Sequence, residues 1–181
     1  MARYTMEMVL EWAKVFPENA DMGDPDGVQW KQNIAKKGGQ YVVNAFFTDQ
    51  EQIDKLVDEG LQTKVLGNDR ILEGNTEFGI GKYMKLKRGV PDDIRDWLDP
   101  VTKDKANLGG PVKVVDLRDG RENVRSWSFE NDGELGNGTK AMVQFDTYSS
   151  GNGIRLNGIA VTELSVWEGG PSEHDELFMV A

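Results

Sequence analysis

The sequence predicts a mainly β domain: an OB-fold-like Greek-key barrel with an N-terminal extension and one short amphipathic helix. Three observations predict it. The 21 glycines sit between runs of β-branched and aromatic residues, the pattern of short strands joined by tight turns. Within several of those runs apolar residues recur at every second position, which puts them on one face of a strand. One segment combines helical spacing with a cap signal. A β-sandwich accommodates the same strand count and stands beside the barrel as the alternative architecture.

In chain order, Thr5–Phe16 places Met6, Met8, Leu10, Trp12 and Phe16 on one parity, interrupted by Lys14, and reads as a half-buried strand. Trp12 and Trp167 are assigned to the core on this basis, with Trp127 undecided. Glu18–Asp26 is a loop by its Asn, Asp, Gly and Pro content. Gln40–Phe47 is a second strand. Thr48-Asp-Gln-Glu51 has the form of a capping box, and Ile53, Leu56, Val57 and Leu61 recur behind it at helical spacing. Asp49–Leu61 is therefore expected as the amphipathic helix. Pro91–Leu98 fits one or two further helical turns, with proline at the first position. Strands are expected over Glu77–Arg88, Pro111–Leu117, Val124–Phe129, Thr139–Ser149 and Ile154–Trp167, the last two joined by a glycine-bearing hairpin loop. Together these make one domain, residues 1–168, followed by an acidic tail, 169–181.

Charge is unevenly spread. The formal net charge is −10, yet residues 76–125 carry 11 basic and 9 acidic side chains, and nothing after Arg155 is basic. With no cysteine, a disulfide framework and a thiolate metal site are both excluded. Glu7 falls where a secretory signal needs an unbroken apolar run, and no stretch approaches the roughly 18 apolar residues of a membrane span. A cytoplasmic protein without membrane contact is the expectation.

Residues 76–88 are the most informative. On a strand, Phe78, Ile80, Met84 and Leu86 share one face, while Tyr83, Lys85 and Lys87 share the other. Lys82 falls on the apolar parity, so a bulge near Gly81 is expected to re-aim it. An aromatic plane beside a row of cations complements the bases and phosphates of a single strand, at about 1–3 kcal/mol per stacked base. A solvated strand face is the plainer explanation of the same residues. Arg88, Lys113, Arg118, Arg121, Arg125, Lys140 and Arg155 lie in or beside the expected strands and extend the basic surface. Trp97, Trp127 and Tyr148 are further candidate stacking planes.

Gly136-Asn-Gly-Thr-Lys-Ala-Met-Val-Gln-Phe-Asp-Thr-Tyr148 and Gly153-Ile-Arg-Leu-Asn-Gly-Ile-Ala-Val-Thr-Glu-Leu164 form the second informative stretch. A Gly-Asn-Gly turn opening a strand that ends near a tyrosine, then a hairpin into a long apolar strand, resembles the single-stranded DNA-binding proteins of tailed bacteriophages. The run Lys82–Arg88 is similar to a basic-aromatic strand of that family. The resemblance covers roughly residues 76–168. It implies an OB-fold, sequence-tolerant binding of single-stranded DNA in phage replication, recombination or repair, and a DNA groove near Tyr83, Lys85, Lys87 and Tyr148. For a phage-encoded chain it places the protein in the host cell cytoplasm. Family members tend to end in an acidic tail that recruits replication proteins; here Glu173, Asp175, Glu176 and Phe178 look like a short version. A homodimer is compatible with this picture, and no cofactor is implied.

Other chemistry finds little support. The lone histidine, His174, lies in the tail, where nothing holds it for nucleophilic catalysis. Asp21-Met-Gly-Asp-Pro-Asp-Gly27 lacks the ligand spacing and distal glutamate of a calcium loop. Gly133–Lys140 ends in Gly-Thr-Lys and runs into a strand pattern, unlike a phosphate loop. The chain is therefore expected to bind rather than catalyse, with a structural or carbohydrate-binding β-sandwich of the kind found in virions as the alternative.

Overall fold

The computed structural model describes residues 2–67, 81–89 and 111–165. Seven strands form one mixed sheet: β1 (Ala2–Lys14), β2 (Gln40–Phe47), β3 (Tyr83–Gly89), β4 (Lys113–Asp116), β5 (Arg125–Ser126), β6 (Thr139–Tyr148) and β7 (Gly153–Glu163). Their order is β3-β2-β1-β6-β7-β4-β5. All neighbours are antiparallel except β4 on β7. Three helices accompany it: α1 (Gln29–Lys36), α2 (Gln50–Asp58) and α3 (Phe129–Asp132).

One face of the sheet builds the core, while the central part of β1 and all of β2 after Gln40 are buried on both faces. Across the sheet, Phe47, Met8, Ala141 and Val161 stand in one row, and Met6, Val143, Ile159 and Val114 in another. Each is at most 8 % exposed. On β3, Met84 and Leu86 join the same face and are fully buried. Ile53 and Leu56 of α2 pack into this core, as the helical spacing predicts. The cap lies one residue later than expected: the Asp49 side chain accepts from the Gln52 N–H (3.1 Å), and the Gln52 side-chain Oε1 accepts from the Thr48 N–H (2.9 Å).

The expected barrel is not closed. The ladder ends at β3 on one side and β5 on the other, with no backbone pairing between them among the described residues. β3 meets the start of β7 through Arg88, whose Nη1 donates to the Leu156 carbonyl (3.2 Å) and to Asn157 Oδ1 (3.3 Å). A guanidinium spans this seam where a closed barrel has strand-to-strand hydrogen bonds.

Other expectations shift in detail. The strand expected over Val124–Phe129 shrinks to two residues because Ser128 accepts from the Asn131 N–H (3.3 Å) and starts α3. The first strand ends at Lys14, two residues short of Phe16. Helix α1 is absent from the pattern reading because Ile34 is its one buried residue. Trp127 resolves into the core at 7 % exposure, its indole N–H donating to the Gly133 carbonyl (2.9 Å). Residues 76–80, Pro91–Leu98 with Trp97, Trp167 and the tail residues Glu173, Asp175, Glu176 and Phe178 lie outside the described residues. Among the described residues no helix is long and apolar enough to cross a membrane.

Candidate functional site

The sheet face opposite the core carries the expected aromatic-basic strand. β3 turns Tyr83, Lys85 and Lys87 to this side. The register then sets three rows across the neighbouring strands: Tyr83–Phe46–Val9–Lys140, Lys85–Asn44–Glu11 and Lys87–Val42–Lys14. Tyr83 stacks on Phe46 with ring centroids 5.0 Å apart, and Val9 completes a small apolar cluster. Gly67 also lies against the ring, close enough that a Cβ there would overlap it. Tyr83 is thus held in one orientation between neighbours and offers the groove its edge more than an open face.

Two tryptophans flank these rows. Trp12 was expected in the core, since it shares parity with Leu10; instead it is 53 % exposed. A register shift between Glu11 and Lys14 interrupts β1, and Trp12 takes φ +50°. This left-handed backbone costs an L-residue about 1–2 kcal/mol and swings the indole off its parity. The backbone N–H of Trp12 is caught by Asn137 Oδ1 at 2.7 Å. Trp30 stands on α1 at 56 % exposure, with Lys31 Nζ 5.4 Å from its ring.

A groove of about 1100 Å³ runs between them, lined by Trp12, Trp30, Tyr83, Lys14, Lys85 and Val42 on its aromatic and basic side. Asn19, Asp21, Asn44, Glu134 and Asn137 also line it. At its floor the buried Glu11 accepts from Asn44 Nδ2 (3.0 Å). Burial, then the charges of Lys85 and Lys37, lower the Lys87 pKa against the opposite pull of Asp21. Lys85 and Lys37 thus lie near enough to repel the Lys87 ammonium, and Asp21 partly offsets them.

The remaining predicted residues scatter. Lys82 precedes β3 beside Gly81 (φ +80°) and lines a separate cleft against α2. Arg88 is 7 % exposed on the core side, which corrects its assignment to the basic face. Lys140 shares the Tyr83 row but pairs with Glu163 (3.6 Å). Arg118 is tied to Asp116 (2.9 Å) and lies over the Trp127 ring at 5.0 Å. Arg155 pairs with the buried Asp146 (3.3 Å), which Arg3 also holds (2.9 Å). Both arginines are spent on internal carboxylates rather than presented to a ligand. Lys113 lines another cleft, beside Trp127 and Phe129. Tyr148 is exposed, but eight residues along β6 from the Lys140 row separate it from the groove by roughly 27 Å.

Pattern reading therefore put Tyr83 and Lys85, which line the groove, on one strand face with Lys87, and it did not anticipate Trp12 and Trp30 there. Trp30 had a signal of its own: a single indole among Gln29, Lys31, Gln32 and Asn33 has no apolar stripe to join. Lys14, breaking the parity of β1, marked the bulge that exposes Trp12.

Among the described residues no group of three or more histidine, aspartate or glutamate side chains converges to hold a metal ion. The arrangement offers rings, ammoniums, amide groups and the carboxylates of Asp21 and Glu134. Neither protein-family models nor curated proteins match this chain, so its reading rests on the groove itself.

Proposed function

We propose that the chain binds single-stranded DNA without sequence preference, laying the strand in the groove between Trp12, Trp30 and Tyr83. One observation carries this reading: two half-exposed indoles and a braced tyrosine line a single groove bordered by Lys14 and Lys85, with Lys31, Lys37 and Lys87 close by. Bases have π-faces on both sides, so rings accept any base, at about 1–3 kcal/mol each, while ammoniums take the phosphates between them. The overall acidity does not forbid this. Phosphates respond to charges within a Debye length, about 8 Å at physiological salt, so distant carboxylates are screened, and Asp21 and Glu134 are the acids that oppose a phosphate within the groove itself.

The wider setting follows the resemblance to phage single-stranded DNA-binding proteins. It comprises an OB-type domain, stoichiometric coating during phage replication, recombination or repair in the host cytoplasm, and recruitment of replication proteins by Glu173, Asp175, Glu176 and Phe178. A second reading has its own support. Asp21, Glu134 and three asparagines in the groove suit the hydroxyls of a carbohydrate better than a polyanion.

Fluorescence titration separates the two. Oligo(dT) should quench tryptophan emission at low salt, with an affinity that falls steeply as salt rises. Absence of quenching and of any gel shift at low salt defeats the DNA reading, and salt-independent quenching by oligosaccharides establishes the other.

A further inference from the structure

The Gly136-Asn-Gly138 turn, prominent in the sequence, borders the groove through Gly136 and Asn137 and reaches the β1 bulge through the Asn137 side chain. We infer that Asn137 is a positioning residue, holding Trp12 in the conformation that turns its indole into the groove. The inference rests on the proposed binding role of that groove.

The geometry is specific. The β1–β6 ladder runs from Ala2 opposite Thr147 to Leu10 opposite Thr139 and stops there. The β1–β2 ladder breaks between Glu11 and Lys14. Trp12 lies in that gap, outside both registers. Two hydrogen bonds from the turn bridge the break. Asn137 Oδ1 accepts from the Trp12 N–H at 2.7 Å, and the Gly138 N–H donates to the Leu10 carbonyl at 2.8 Å. Gly138 itself has φ +95°, so the turn depends on a backbone that only glycine adopts readily. The turn thus folds back over the bulge before β6 begins.

An amide is the suitable acceptor at this place. Aspartate supplies the same oxygen but adds a negative charge at the groove wall, beside Glu134 and opposite the phosphates. Alanine removes the acceptor and leaves the left-handed residue without this hydrogen bond, so the indole explores other orientations. Asn137 borders the groove, and its positioning effect on the ligand is exerted through Trp12.

A double-mutant cycle on the full chain tests this, using oligo(dT) titrations with thermal melts to verify folding. N137A in the wild-type background should weaken binding about fivefold, the equilibrium effect of one ordinary hydrogen bond. In a W12G background the same change should have almost no effect, because the group it positions is gone. N137D should restore the wild-type acrylamide quenching of Trp12, read as the difference between each protein and its W12F counterpart. Equal losses from N137A in both backgrounds overturn the inference, as does unchanged binding by N137A alone. If W12G itself binds as tightly as wild type, the groove reading falls first and the positioning role with it, an outcome distinct from the other two.

Discussion

Replacing Trp12 by glycine separates stability from binding, because the two respond to different parts of the residue. With 53 % of the residue exposed, roughly 110 Å² is buried, and its removal costs about 2–3 kcal/mol as an upper estimate. Glycine at φ +50° recovers about 1–2 kcal/mol of backbone strain. The net loss is about 1 kcal/mol, or roughly 2–4 °C in Tm for a chain of this size. W12A keeps the strain and loses the ring, so it should melt below W12G by about 1 kcal/mol, the reverse of the usual alanine–glycine order. Binding responds to the lost stacking plane: about 1–3 kcal/mol, or roughly 5- to 150-fold in Kd for oligo(dT). W12F should recover much of it. Circular dichroism melts and fluorescence titrations on the same samples measure both quantities. A folded W12G that binds within about twofold of wild type refutes the placement of the strand, and a W12A more stable than W12G refutes the left-handed backbone.

Three other outcomes follow from the same structure. K85Q and K87Q should each flatten the salt dependence of oligo(dT) binding by about 0.7 in the log–log slope, the share of one phosphate contact on a single strand; an unchanged slope in the double variant places the phosphates elsewhere. Asp116 is held at a pKa of about 2, below the ordinary 3.8, chiefly by the hydrogen bond from Arg118. A lowered folded-state pKa stabilises above about pH 4 and is lost as pH falls toward 2, so the Tm gap between wild type and D116N should narrow over that range. Gly151 has φ +83°, and a Cβ there would overlap the Gly60 carbonyl at the end of α2; G151A should therefore lower stability by about 2 kcal/mol or more in urea unfolding, without touching the groove.

What the pattern of residues can reveal depends on whether local periodicity survives in the folded chain. Where it does, as in the alternation of Met84 and Leu86 with Lys85 and Lys87, the strand and its faces follow directly. Gln40–Phe47 reads as a strand, but it is buried on both faces and its sides do not follow from alternation. Barrel closure does not follow, because it depends on whether distant edges pair. Here β4 joins β7 in parallel, and Arg88 spans the seam to β3. Individual cations fare worst. Arg118 and Arg155 look like Lys85 in a sequence, yet each is committed to a carboxylate that only the fold brings near. Trp12 shows the deeper reason. Parity assigns it to the core, and it would sit there if β1 ran unbroken. The bulge that expels it is secured from residue 137, 125 positions away, by a side-chain oxygen on a glycine-framed turn. The two features flagged separately in the sequence, the Lys14 interruption and the Gly-Asn-Gly turn, are therefore two halves of one device. A groove wall formed where a regular strand is broken is hidden from any rule that assumes the strand is regular. It also predicts where to look: the residue that violates its own periodicity, Trp12, is the one most worth mutating first.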